Sequence, residues 1–112
     1  MTPCQPRILY QQHRICVARC AHCGHVTLRY GNLIAGFAPS DFDRYCRNVL
    51  PLDFDTYCAT TPDEEAVVVL QTCHPNIQFA FNRNEFAQLK SALAESQLLL
   101  QAHHVLEQNQ LL

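Results

Sequence analysis

The stretch "CVARCAHCGH", Cys16 to His25, puts three cysteines and two histidines within ten residues. At its centre, Cys20-Ala21-His22-Cys23-Gly24 is a C-x-x-C-G turn between two stretches that read as strands. Two cysteines at this spacing can put both sulfurs on one metal ion, and the glycine relieves crowding where backbone N–H groups turn toward thiolates. This knuckle constrains the chain more than any other feature, because it demands a tight turn joining two antiparallel strands.

The flanking pattern agrees. Arg7 to Tyr10 and Arg14 to Cys20 are β-branched and apolar, with "QQHR" at their joint. "HVTLRY", from His25 to Tyr30, alternates apolar and polar. Gly31-Asn32 then makes a two-residue hairpin turn that returns into Leu33 to Phe37. These segments form an antiparallel meander over residues 1–38. Residues 39–51 form a helix with an apolar face of Phe42, Tyr45, Cys46, Val49 and Leu50. Ser40 is its expected N-cap, with Asp43 completing a variant capping box, and Pro51 ends it. Residues 52–65 read as an acidic loop, and 66–81 as a second hairpin turning at His74-Pro75-Asn76. Asn82 or Asn84 then caps a long helix over 82–108. The order of elements implies one α+β domain over residues 1–112, with an antiparallel sheet and helices on one face.

A tetrahedral zinc site needs four ligands, and there is no second C-x-x-C. If the first two strands pair about Gln12, Cys4 stands opposite Cys20 and is the expected third ligand. The fourth is left open among Cys73 and His74 at the tip of the second hairpin and His25 or His22 beside the knuckle. Cys16 lies about 13 Å along the strand from Cys20, too far to share one zinc. The expected cofactor is therefore a structural Zn2+ on Cys20 and Cys23, with Cys4 and one of these others. Cys46 reads as core, Cys58 as a partly exposed thiol, and His103-His104 as solvated or capping.

Other chemistries fail on context. A thioredoxin-like C-x-x-C opens a helix, whereas this one runs into a strand. Covalent haem attachment needs His directly after the second Cys, where Gly24 stands. The three glycines make no phosphate loop. Cys73 and His74 are neighbours in sequence, which does not make a nucleophile and base pair. No catalytic set emerges, and no small-molecule substrate is identified.

With seven cysteines and no apolar core of a signal peptide in "MTPCQPRILYQQHR", the expected location is the cytoplasm, where clustered thiols bind metal rather than pair. No apolar run approaches the roughly 20 residues of a membrane span. Charge is unevenly spread: residues 1–40 carry four arginines and no carboxylate, residues 41–65 seven carboxylates against two arginines. Two readings follow, internal pairing between the halves or an arginine-bearing face for an anionic partner. Nucleic acid is disfavoured, since the net charge is −2 and aromatics are not interleaved with the basic residues.

Cys4, Cys20, Cys23, Gly31 and Phe42, within "CAHCGHVTLRYGNLIAGFAPSDFDRY" and "HPNIQFAFNRNEFAQLKSAL", carry a resemblance across most of the chain. They resemble a family of small uncharacterised bacterial proteins sharing an N-terminal Cys, a C-x-x-C strand pair, a Gly-Asn turn and a Leu-rich final helix. The resemblance implies no activity; it supports Cys4 as partner of the knuckle.

The final helix is expected to run about 24 residues, roughly 36 Å, past a sheet of roughly 20 Å. Phe86, Leu89 and Leu93 serve the core, while Leu98, Leu99, Leu100, Val105 and Leu106 leave an apolar end that marks an interface. The sequence thus points to a non-enzymatic, zinc-stabilised protein-interaction module, forming a homodimer or hetero-complex through residues 98–112. The alternative is a thiol-based redox or metal-sensing protein.

Overall fold

The structure, a computed structural model, describes residues 5–72 and 74–110, with side chains to residue 108. Its first sheet is built from β1 (Pro6–Gln12), β2 (Ile15–Cys20), β3 (Val26–Tyr30) and β4 (Leu33–Phe37), paired antiparallel in chain order. The meander exists because alternating residues bury one face: Ile15, Val17, Val26, Leu28 and Ala35 point to the core. Gly31 takes φ +62° in the two-residue turn between Tyr30 and Leu33, a backbone state that favours glycine.

The β1–β2 turn is tighter than expected. His13 and Arg14 form it, with His13 at φ +58°, and Gln12 pairs with Ile15. An irregularity at Leu9 lets Leu9 and Tyr10 both be buried and shifts the register. The turn at His13–Arg14 alone would set Arg7 opposite Cys20; with the irregularity the partner is Pro6, and in neither register is it Cys4. Cys4 itself lies outside the described residues.

Helix α1 (Pro39–Val49) buries Phe42, Cys46 and Val49. Ala38 occupies its N-cap position with no side-chain cap, so Ser40 does not play that role. Pro39 starts the helix instead, its locked φ suiting the first turn. Asp43 does not close a capping box either; it pairs with Arg47 and accepts from Gln97 on the last helix.

The segment expected to be loop holds structure of its own. Asp53 caps a single-turn helix α2 (Phe54–Tyr57) by accepting from the Thr56 amide at 3.2 Å. A two-residue strand β5 (Ala59–Thr60) follows and joins β6 (Ala66–Gln71) and β7 (Gln78–Phe81) in a second antiparallel sheet. Asp and Thr near a turn of helix compete for backbone donors, so a short element forms without any hydrophobic period to announce it.

Helix α3 (Arg83–Gln110) starts at Asn82, not Asn84. The Glu85 amide donates to Asn82 Oδ1 at 2.8 Å, and the Asn82 amide donates to Glu85 Oε1 at 2.9 Å, a reciprocal cap. Its first half buries Phe86, Leu89, Ala92, Leu93 and Ser96 against both sheets and α1. Beyond Ser96 no described residue of α3 is buried, and Leu98, Leu99, Val105 and Leu106 are exposed. At 28 residues the helix is about 42 Å long. The radius of gyration of 15.4 Å exceeds the roughly 13 Å of a compact chain this size, as an overhanging helix requires. No helix among the described residues is long and apolar enough to cross a membrane.

Candidate metal centre

Inward and outward positions alternate along β2, so Val17 and Arg19 face α3 while Cys16, Ala18 and Cys20 face away. Cys20 is only 7% exposed, yet it stands outside the main core cluster. What covers it is the turn that follows. The Cys20 amide donates to the His25 carbonyl at 2.8 Å, and the Gly24 amide donates to the Cys20 carbonyl at 2.9 Å. Gly24 closes this loop at φ +78°, and a Cβ there would approach Pro39 Cγ to 3.2 Å. Glycine at this position is thus set by both backbone and space.

The loop aims backbone donors at sulfur. The Cys23 amide donates to Cys20 Sγ at 3.4 Å, and the amides of His22 and Gln5 add to it. These donors, with the Cys23 thiol beside them, outweigh desolvation and pull the Cys20 thiol from its usual 9.0 down to about 6. The same donors favour the charged form of Cys20, the form that ligates metal. Cys23 is exposed on the same turn.

The other predicted ligands divide. His25 is itself the backbone hydrogen-bond partner of Cys20 and shares its outward face, but its ring lies over β4, with Nε2 2.8 Å from where a Cβ at Gly36 would stand. His22 is exposed within the turn. His74 is exposed in the β6–β7 turn, with its Nδ1 accepting from the Asn76 amide at 3.2 Å. Cys73, like Cys4, lies outside the described residues. Among the described residues no group of three His, Cys, Asp or Glu side chains is close enough to hold a metal ion. The structure brings Cys20 and Cys23 together; it does not bring His25, His22 or His74 onto them.

The remaining thiols behave as small apolar groups. Cys46 is fully buried, its thiol donating weakly to the Leu93 carbonyl at 3.9 Å, and burial pushes it up to about 12. Cys58 is half-buried at the end of α2.

Pairing between the two halves of the chain does not account for the charge division. The ion pairs among the described residues are Arg44–Asp41, Arg47–Asp43, Arg83–Asp55 and Arg19–Glu107. The acidic segment is answered from within or from Arg83, and none of the four N-terminal arginines reaches it. Nor do those four form one face: Arg7 and Arg19 lie on the α3 side, Arg29 alternates to the opposite side, and Arg14 folds over Gly31.

A second concavity went unread in the sequence. Between α1, the start of β3 and the overhanging half of α3 lies a cleft of about 520 Å³, lined by Val26, Phe42, Leu100 and Val105, with Arg19 and His103 among its polar residues. The consecutive apolar residues of "ILY" in β1 were the only signal for the bulge that lines Arg7 up with Arg19.

Fold and site together define a small α+β protein whose meander carries a Cys-x-x-Cys-Gly knuckle with backbone amides turned toward Cys20. The chain belongs to a family of unknown function (DUF6686), whose family model matches residues 1–111. No curated protein and no solved structure matches the chain significantly. The family description names no activity, cofactor or source.

Proposed function

We propose that the protein is a small, non-enzymatic, zinc-stabilised protein-interaction module of the cytoplasm. The observation that carries this reading is the convergence of backbone amides on Cys20 Sγ beside Cys23. A loop that lowers a thiol by amide donation while holding a second thiol three residues on is suited to a metal thiolate pair. Cys20 and Cys23 would hold the ion. Cys4 is the third ligand on this reading, because it directly precedes Gln5, whose carbonyl accepts from the Ala21 amide at 2.9 Å. His25 is the favoured fourth ligand among His25, His22, His74 and Cys73, since it leaves the turn on the same face as Cys20; its ring would have to rotate off Gly36. The zinc supplies a cross-link between β1, β2 and β3 and does no chemistry on a substrate. Native protein purified without added metal is expected to contain close to one zinc per chain, and Cys20→Ser to lose it. Metal-free protein that is fully folded would overturn the reading.

The interaction surface is the exposed stripe of Leu98, Leu99, Val105 and Leu106 on α3, which serves a homodimer or a protein partner. Light scattering on the full chain and on Leu98→Glu/Leu106→Glu is expected to separate a dimer from a monomer. A full chain that is monomeric at high concentration and captures no partner removes this half of the proposal.

A thiol-based redox or metal-sensing role is the second reading, favoured by the Cys20 thiol at about 6 next to Cys23. A reversible Cys20–Cys23 disulfide in zinc-free native protein would select it.

A further inference from the structure

We propose that the cleft under the overhanging half of α3 binds a free long-chain monocarboxylate, its alkyl chain between α1 and α3 and its carboxylate on Arg7 and Arg19. The cleft volume of about 520 Å³ falls in the roughly 300–1,000 Å³ range of small-molecule sites. Its body is apolar: Val26 and Phe42, each 1% exposed, form the floor, and Leu100 and Val105 of α3 stand over it. Beside it lies a smaller recess of about 320 Å³ lined by Arg7, Arg19, Ala21, His103, Leu106 and Glu107. Arg19, His103 and Glu107 line both, so the apolar body adjoins a basic end across these shared side chains.

Charge at that end is out of balance. Arg7 and Arg19 are directly opposed across β1 and β2, and like charges so placed repel. Among the described residues one carboxylate answers them, Glu107, which stands 3.9 Å from Arg19 and is well exposed. That distance is a full ångström beyond a charge-assisted hydrogen bond of about 2.8 Å. Two guanidiniums at the mouth of an apolar slot fit a planar carboxylate, which each can grip through paired N–H donors. A neutral apolar ligand would leave the arginines unanswered, a cationic one would be repelled, and a polyanion would meet Glu107 and Asp43 with only two cations to hold it.

The proposal stands apart from the metal reading, although Gly24 of the knuckle lines the cleft. Zinc content measured on the same samples keeps the failure of one distinguishable from the failure of the other. The probe is sodium dodecanoate below its micelle concentration, titrated calorimetrically into the full chain as purified, with amide NMR shifts recorded alongside. One-to-one binding is expected, with shifts at Val26, Leu100 and Val105, and at least tenfold weaker binding of dodecanol and dodecyltrimethylammonium. Arg7→Gln/Arg19→Gln is expected to weaken dodecanoate at least tenfold with unchanged circular dichroism. Val105→Trp, which fills the slot from an exposed position and leaves the arginines alone, is expected to abolish binding. Absence of saturable binding overturns the proposal, as do equal affinities for the three probes or full binding by the double variant. So does binding confined to anionic vesicles, or light scattering that shows the cleft filled by a second copy, with dodecanoate shifts limited to Leu98 and Leu99.

Discussion

Cys20 and Cys46 are both buried, yet they are opposite kinds of thiol. Cys46 lies between α1 and α3 with only a carbonyl at 3.9 Å to speak to, and burial drives it up to about 12. Cys20 lies under a turn whose amides point at its sulfur, and it falls to about 6. The difference teaches that burial by itself says little about a thiol. What matters is whether the groups that exclude water also donate hydrogen bonds to the charged form. A packed helix pair has spent its amides on its own carbonyls, whereas a knuckle turn has them to spare.

The largest expected effect breaks the pair apart at Cys20. On the zinc reading, Cys20→Ser should abolish metal binding and lower stability by about 4 kcal/mol or more, as loss of a structural metal does. Urea unfolding with metal analysis on the same sample checks it; a variant that keeps its zinc would show the wrong thiol has been chosen.

Next comes the contrast within α3. Leu89 is fully buried and Leu106 is 58% exposed. Leu89→Ala should cost about 3 kcal/mol, in the range for a buried leucine. Leu106→Ala should change monomer stability by no more than about 0.5 kcal/mol. Equal losses in denaturant melts at low concentration would mean that the second half of α3 is packed after all.

Cys46→Ala should cost on the order of 1 kcal/mol and leave metal content unchanged. It should also soften the alkaline limb. Folding holds Cys46 neutral, so its contribution is complete below the usual thiol value of 9.0 and is lost as pH rises from there toward 12. Melting temperatures of native protein should therefore fall from pH 9 upward, and fall less in the variant. Parallel curves would remove Cys46 as the titrating group.

The smallest effect concerns Asp43, held below its usual 3.8 chiefly by the Arg47 hydrogen bond, with Gln97 adding to it. A depressed carboxyl stabilises the fold at and above its ordinary value and loses that contribution as pH falls below it. At a surface this exposed the effect on melting is slight, so the check is the NMR titration of its carboxyl carbon. A midpoint at or above 3.8 would show that neither the Arg47 bond nor the weaker Gln97 tie holds the carboxylate in solution.

What the residues determined unaided was whatever depends on neighbours in sequence. Alternation in "HVTLRY", the Gly31 turn, the apolar stripe of α1, and the long helix with its bare apolar end were all legible, because period and turn chemistry are local. So was the C-x-x-C-G turn, whose glycine answers to its own φ. The tertiary structure decided what depends on register and contact. The His13–Arg14 turn took Cys4 out of register with Cys20, and the irregularity at Leu9 then set Pro6 against Cys20 and Arg7 against Arg19. Pro39 displaced Ser40 at the head of α1, and Asp43 turned to Gln97, a residue fifty-four positions away. Side-chain alternation has period two, so one extra residue in a strand reassigns every later partner, and the apolar run "ILY" hints at a bulge without fixing which partners it leaves opposed.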